Sequence, residues 1–170
     1  MRLYEPSVLD QIVLAIIGEK PRHGFAVSKE LEIDPSLSAV IRARRPLVYR
    51  SINSLVDAKL IRETKTEPGD QGSPRVVYAT TATGKSTTAK WLNDTVDHPR
   101  DARIELLAKF VLRNRRNLTN QQLAKRQKKL FENQAAKLQV STNLATDDVR
   151  LVSLWRVETI NAMIRLLEAV

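Results

Sequence analysis

Cysteine is absent from the 170 residues, which excludes a disulfide framework and every thiolate metal site. The only two histidines, His23 and His98, stand far apart and give no metal-ligand spacing. Neither a metal nor a cofactor is expected. No apolar run approaches the roughly 18 residues that a membrane span requires. Met1 to Pro6 lack the apolar core of a signal peptide, so a soluble cytoplasmic protein is expected. No Ser/His/Asp arrangement and no paired-carboxylate spacing supports catalysis, and the chain reads as a non-enzyme. Glycine is scarce at 5 residues, the last being Gly84, and the last proline is Pro99. The remainder therefore has the composition of a purely helical module.

Positive charge is in surplus. A formal charge of +9 and a pI near 10.1 favour a polyanionic partner, either nucleic acid or an anionic membrane surface. Order along the chain chooses between them. Ser7-Val8-Leu9-Asp10 fits a capping box opening a helix with Leu9, Ile12, Val13 and Ile16 as its core stripe, ended by Gly18. A turn over Glu19 to Gly24 leads to a second helix carrying Phe25, Val27 and Leu31 and closed by Pro35. Residues 36–45 allow a short helical turn. A third helix over residues 46–58 places Val48, Ile52, Leu55 and Val56 on one face.

Arg42, Arg44 and Arg45 precede that third helix, and Tyr49, Arg50, Asn53 and Ser54 lie on or beside its outer face. A short helix with one buried stripe and an Arg/Asn/Ser outer face suits a DNA major groove, where Arg pairs with guanine and Asn with adenine. Phosphate contact is the default for each arginine, because backbone contacts outnumber base contacts. Residues 61–66 alternate as a half-exposed strand does, and residues 67–74 are dense in turn formers. Residues 75–79 return as a second strand. The resulting hairpin is a wing, with Lys65 and Arg75 flanking its tip (residues 71–75) and within reach of backbone or minor groove. A further helix is expected from Thr81 to Asn93. Its Thr83-Gly84-Lys85-Ser86 looks like the end of a phosphate-binding loop, but Ala79 stands where that motif needs glycine.

Leu14-Ala15-Ile16-Ile17-Gly18, Pro21-Arg22-His23-Gly24-Phe25, Tyr49 to Leu55, Leu60-Ile61, and Arg75-Val76-Val77-Tyr78 leading to Thr81 and Gly84 together resemble the PadR family of bacterial transcriptional regulators. The resemblance covers nearly the whole chain and matches the subgroup with a long C-terminal domain. It implies a mainly α fold with a small β-hairpin wing: an N-terminal winged helix-turn-helix over residues 1–95 and a helical dimerisation domain over residues 96–170. It also implies repression relieved by a small, often aromatic, effector such as a phenolic acid or aldehyde. Arg44-Arg45-Pro46-Leu47 stand where the family has small residues, and Thr80 where it has an apolar one. The first departure bears on the operator sequence, the second leaves the fold untouched.

In the second half, Ile104, Leu107, Ala108 and Val111 mark one helix, residues 118 to about 139 a second, and Asp147-Asp148 open a third. Apolar residues on this third helix wrap more than one face, which suits a second copy of the chain. Val152, Trp155, Ile160, Met163 and Leu167 are the expected dimer contacts. Tyr4, His23, Trp91, Phe110 and Trp155 are the candidates for effector contact. Core packing is the plainer role for the aromatics, and a place in the turn the plainer role for His23. The boundary near Asp94 to Pro99 is read as a pivot. Arg113, Arg115, Arg116, Lys125, Arg126, Lys128 and Lys129 read as a solvated face. Residues 96–170 hold 14 basic against 8 acidic residues, +6 of the total +9. That excess favours the alternative function, an effector-independent architectural or nucleoid-associated DNA-binding protein.

Overall fold

The structure, a computed structural model, describes residues 4–69, 74–144 and 146–170. Helix α1 (Val8–Glu19) is the axis of the first half. Residues 12–17 are all but sealed from solvent, because an apolar run at every helical angle must be covered on all sides. The capping box forms as expected: Ser7 Oγ accepts from Asp10 N–H, and Asp10 Oδ2 accepts from Ser7 N–H. Gly18 does not end the helix, which runs one residue further to Glu19. Its bare backbone instead lets Arg116 approach, whose Nη2 donates to Ala15 O at 2.7 Å and would lie 3.3 Å from a Cβ at position 18.

After α1 come β1 (Arg22–His23), α2 (Gly24–Ile33), α3 (Pro35–Val40) and α4 (Arg45–Asp57). Pro35 opens α3 as well as following α2. Asp34 Oδ1 accepts from the Ser36 and Leu37 amides, and proline suits a first-turn position where no amide donor is needed. On α4, Val48, Ile52 and Leu55 are fully buried and Val56 half-buried, the stripe expected from its periodicity. The helix closes with Lys59 at φ 57° and Leu60 N–H bonded to Leu55 O at 2.9 Å, a Schellman end without its usual glycine. Lys59→Gly should therefore raise stability by up to about 1 kcal/mol, checked by thermal or urea unfolding.

Strands β2 (Ile61–Glu67) and β3 (Arg75–Thr80) pair antiparallel. The turn expected over residues 67–74, and with it the wing tip at residues 71–73, falls in part outside the described residues. The expected two-stranded wing is a three-stranded sheet, in order β1-β3-β2. Arg22 and His23 pair with Tyr78 and Val77, and two residues are too few to show alternation in a sequence. A bulge leaves Thr64 outside the register, its hydroxyl donating to Val77 O at 3.0 Å. Helix α5 (Ala82–Asn93) follows, capped by Thr81.

Beyond it lie α6 (Pro99–Ala102), α7 (Glu105–Asn114), α8 (Gln121–Leu144) and α9 (Asp147–Glu168). The one-turn α6 is not apparent in the sequence. Helix α8 starts later than residue 118, because α7 closes through Asn117 at φ 56° with Leu118 N–H bonded to Arg113 O. The single stripe expected on α7 also gives way. Ala108 and Leu112 join the first core while Leu106 and Phe110 join a second one with Leu123, Phe131, Ile160 and Leu167. Helix α7 thus carries two buried faces, and the first core takes in residues on both sides of position 95. Helices α8 and α9 form the hairpin that covers the second core.

The segment from Asn93 to Asp97, within the boundary expected as a pivot, is hydrogen-bonded to the helices that follow it. Gln127, fully buried, pairs both amide atoms with the Val96 backbone at 2.7 and 2.8 Å. Lys109 Nζ donates to Asp94 O, Arg126 to Asn93 O and Gln134 to Asp97 O. The buried backbone of Val96 needs such partners, and side chains of α7 and α8 supply them there and at the exposed carbonyls beside it.

The solvated face expected over residues 113–129 is likewise replaced in part. Arg113 is buried and donates to Leu92 O, Asn93 Oδ1, Thr119 O and Asn120 Oδ1. Arg115 meets three carboxylates of the first half: Glu19 at 2.6 Å, Asp34 at 3.3 Å, and Glu30. Lys125, Arg126 and Lys129 are exposed. Charge that looked like surplus in the second half therefore serves to dock α7, Arg113 on the end of α5, and Arg115 on α1, α2 and the Asp34 cap of α3.

Candidate nucleic-acid interface

Helix α4 turns its unburied face outward. Arg42, Arg44, Arg45, Arg50 and Asn53 are exposed, Tyr49 is 41% exposed, and Ser54 is half-buried. Its first turn contains no acidic residue and Arg44, the capping residue, makes no side-chain cap bond. Amide donors, the positive end of the helix dipole and three arginines thus concentrate at one end, an arrangement suited to an anion. Residues 42–45 with Ser28, Leu31, Glu32 and Ser38 line a hollow of about 810 Å³ between α2, α3 and the start of α4, so one carboxylate shares it with the arginines.

The turn before α2 fixes how α4 sits. His23 caps α2 by accepting the Ala26 amide on Nδ1 at 3.1 Å. Gly24 is needed because a Cβ there would lie 2.9 Å from Tyr49 Cε1 and 3.0 Å from Ile52 Cδ1. Tyr49 thereby packs α4 on α2 and is also 41% exposed. Phe25, next in sequence, carries two cations over its ring: Arg45 at 4.9 Å and Arg75 at 5.1 Å from the centroid. The His23 ring stacks 6.2 Å away. One aromatic side chain thus joins the start of α4 to the loop end of the wing. Lys65 is exposed and pairs with Glu67 at 2.7 Å.

The candidate effector residues are not gathered in one place. Tyr4 donates to Asp10 Oδ2 at the start of α1, and burial together with Asp10 pushes its phenol above the usual range. Trp91 is buried in the first core, its Nε1 donating to Glu105 at 2.9 Å with Lys109 over its ring at 5.3 Å. Phe110 is buried in the second core. Two of the five border cavities among the described residues: His23 one of about 560 Å³ beside Arg22, Lys65 and Val77, and Trp155 one of about 640 Å³ between α6, α8 and α9, with Pro99, Gln134, Leu138, Arg156 and Ile160 among its walls. Of the candidate dimer contacts, Ile160 and Leu167 are buried against their own chain and Met163 is half-buried, while Val152 and Trp155 are 50% and 68% exposed. Gly84-Lys85-Ser86 lies inside the first turns of α5, not in a loop.

Electrostatics tie this face to the rest. Burial raises the Glu30 carboxyl, but the hydrogen bonds and charge of Arg115 and Arg22 outweigh it and hold it below the usual carboxylate range. Asp10 is also depressed: burial raises it, and hydrogen bonds from Ser51, Ser7 and Tyr4 lower it further. Groups whose native pKa is depressed contribute stability above their unfolded values, about 3.9 for Asp and 4.3 for Glu. That contribution is lost as pH falls through the native values. Unfolding followed from pH 6 downward should show stability falling from about pH 4.5, with a shallower acid limb in Glu30→Gln.

Comparison with known proteins matches this architecture. The transcriptional regulator PadR-like family matches residues 13–90. Among solved structures, Bacillus subtilis PadR in complex with operator DNA has a TM-score of 0.51 and 18% identity over 98% of this chain and 97% of that one. Smu.1604c from Streptococcus mutans UA159 gives 0.45 and 17%, over 94% and 96%. The PadR-like transcriptional regulator BC1756 from Bacillus cereus gives 0.43 and 16%, over 95% and 98%. No curated protein matches. Among the described residues, no group of His, Asp or Glu is arranged to hold a metal, and no helix is long and apolar enough to cross a membrane. The likeness to the solved B. subtilis structure is one of fold, and the helix-turn-helix and wing of this chain, residues 13–90, are a domain of the PadR-like family of transcriptional regulators.

Proposed function

We propose that the chain is a dimeric, cytoplasmic repressor that binds a pseudo-palindromic operator and is released from it by a small aromatic effector. The observation that carries the DNA reading is the exposed set of Arg42, Arg44, Arg45, Arg50 and Asn53 on α4, joined to Arg75 of the wing through Phe25. Each α4 enters one major groove, with half-sites about 10 bp or a multiple of it apart. The solved B. subtilis relative holds operator DNA, which supports the same partner here. Dimerisation is supported by exposed apolar side chains at the far end of the α8–α9 hairpin: Val140, Val149, Leu151, Val152 and Trp155. A cluster of this kind marks an interaction surface.

The effector reading draws on the cavity beside Trp155. Its walls combine apolar Leu138 and Ile160 with Arg156 and Lys137, and the buried Gln134 Oε1 has no partner while its Nε2 bonds Asp97 O. A phenolic acid or aldehyde matches that mixture, its ring against the apolar wall, its carboxylate or carbonyl facing the cations and its hydroxyl donating to the unpaired acceptor. The test is selection of bound DNA from random fragments, repeated with aromatic acids and aldehydes present. Recovery of one sequence class, lost when one of these compounds is added, supports the reading. Sequence-indifferent binding that no compound alters would favour an architectural DNA-binding protein instead.

A further inference from the structure

We infer that Gln134 is the residue through which an occupied cavity beside Trp155 acts on the DNA-reading half, and that it selects a ligand bearing a hydroxyl; this rests on the effector reading above. Helix α8 clasps the segment that leaves α5 with two glutamines, Gln127 and Gln134, about two turns apart. Gln127 is saturated: its Nε2 donates to Val96 O and its Oε1 accepts from Val96 N–H. Gln134 is half-satisfied: its Nε2 donates to Asp97 O at 2.7 Å, and its buried Oε1 has no partner. A buried acceptor left without a hydrogen bond is costly, and this one belongs to a side chain that lines the cavity. A ligand hydroxyl is a donor that would relieve it.

The other end of the same amide reaches the segment that carries the winged half. Amide resonance keeps Oε1 and Nε2 in one plane, so a bond formed by Oε1 constrains how Nε2 meets Asp97 O. His98, Pro99 and Arg100, the residues directly after Asp97, wall the cavity on one side, and α8 and α9 wall it on the other. A ligand that fills the space touches both walls and bears on their separation. Among the described residues, Gln134 is the one cavity-lining side chain hydrogen-bonded to residues 93–97. That segment continues directly from α5, whose Trp91 and Leu92 belong to the first core with α1 and α4. A ligand alters a distant site only by preferring one arrangement over another, and the Gln134 clasp on Asp97 is the arrangement that the cavity and the winged half share.

The test uses the full chain at about pH 6, where a phenol keeps its proton. The probes are two matched pairs, para-hydroxybenzoate with benzoate and para-hydroxybenzaldehyde with benzaldehyde. Calorimetry reads ligand binding, and titration of a duplex recovered by the selection above reads DNA affinity with and without saturating ligand. Wild-type protein should bind the hydroxylated member of a pair roughly 5- to 30-fold more tightly. Its DNA affinity should fall about 5- to 150-fold when that ligand is bound. Gln134→Leu should bind both members of a pair alike, and saturation should change its DNA affinity by less than about twofold. Gln134→Glu keeps an acceptor but offers Asp97 O no donor. It should still prefer the hydroxylated aldehyde, which carries no charge to repel, and show the same indifference of DNA affinity to ligand. A hydroxyl preference that survives in Gln134→Leu, or ligand-driven release that survives in either variant, overturns the role of Gln134. Should Gln134→Leu fail to fold, Gln134→Glu alone decides, by release kept or lost. Wild-type protein that binds none of the four probes, or binds them and holds its DNA, overturns the effector reading itself. That result is distinct from release that is the same in wild type and variants.

Discussion

Val152→Asp combined with Trp155→Asp should turn the protein into a folded monomer whose affinity for its operator is about 10²- to 10⁴-fold lower. Both side chains are largely exposed in the single chain, so their replacement empties no core. A carboxylate trapped in an apolar interface without a partner is costly, and two from each copy double the penalty. A lone reading head then binds without the gain that a second tethered head provides. Sedimentation should report the mass of one chain, circular dichroism an unchanged helix content, and operator titration the loss. Should the double variant sediment as a dimer, the hairpin end is not the interface. Ile160→Asp is not an equivalent test, because Ile160 is buried against its own chain and the substitution would damage the fold.

Gly84→Ala should destabilise the first half by about 3 kcal/mol, near the upper end for forced overpacking. A Cβ at position 84 would lie 2.0 Å from Leu60 O and 3.0 Å from Leu60 C. The obstacle is backbone, so no rotamer change relieves it. That backbone is also fixed from the other side, since Thr81 donates to Leu60 O from its amide at 3.0 Å and its hydroxyl at 3.1 Å. At roughly 2–4 °C per kcal/mol for a chain of this size, the midpoint of thermal unfolding should fall by about 6–12 °C. Gly18→Ala is the control. Its nearest neighbour is the far end of a flexible side chain, Arg116 at 3.3 Å, which needs to give by only a few tenths of an ångström, and its midpoint should stay close to the wild type. A Gly84→Ala midpoint equally close would show that α5 does not pack on Leu60 as tightly as described. The same contact accounts for the Gly-Lys-Ser sequence: its glycine admits a neighbouring carbonyl, not a phosphate.

The elements that sequence reading found best are those with long periodic signals and local chemistry. The stripe on α4, the capping box of Ser7 and Asp10, the strands of the wing and the start of α9 at Asp147 are visible because each depends on residues a few positions apart. The misses share one cause. Strand β1 is two residues long and exists only because β3 lies beside it. Phe25 reads as a core aromatic of α2, and its place between two arginines depends on elements that begin 20 and 50 residues later. Gln127 did leave a trace, a polar residue in step with Leu123, Ala124 and Phe131. A buried amide at such a position signals a backbone that needs its hydrogen bonds satisfied.

By itself the sequence determined the winged helix-turn-helix, its outward row of arginines, and the switch to a glycine-free helical half. Periodicity, capping and turn chemistry are short-range properties, and they are written in neighbouring residues. Only the tertiary structure decided what the charges of the second half are for. Arg113, Arg115 and Arg116 look like any basic run until α7 is laid against α1, α2 and α3. There Glu19, Glu30 and Asp34 converge on Arg115 while backbone carbonyls take Arg113 and Arg116. Whether a charge is solvated or structural depends on its partner's position, and for Arg115 and Arg116 that partner lies roughly 80 to 100 residues away.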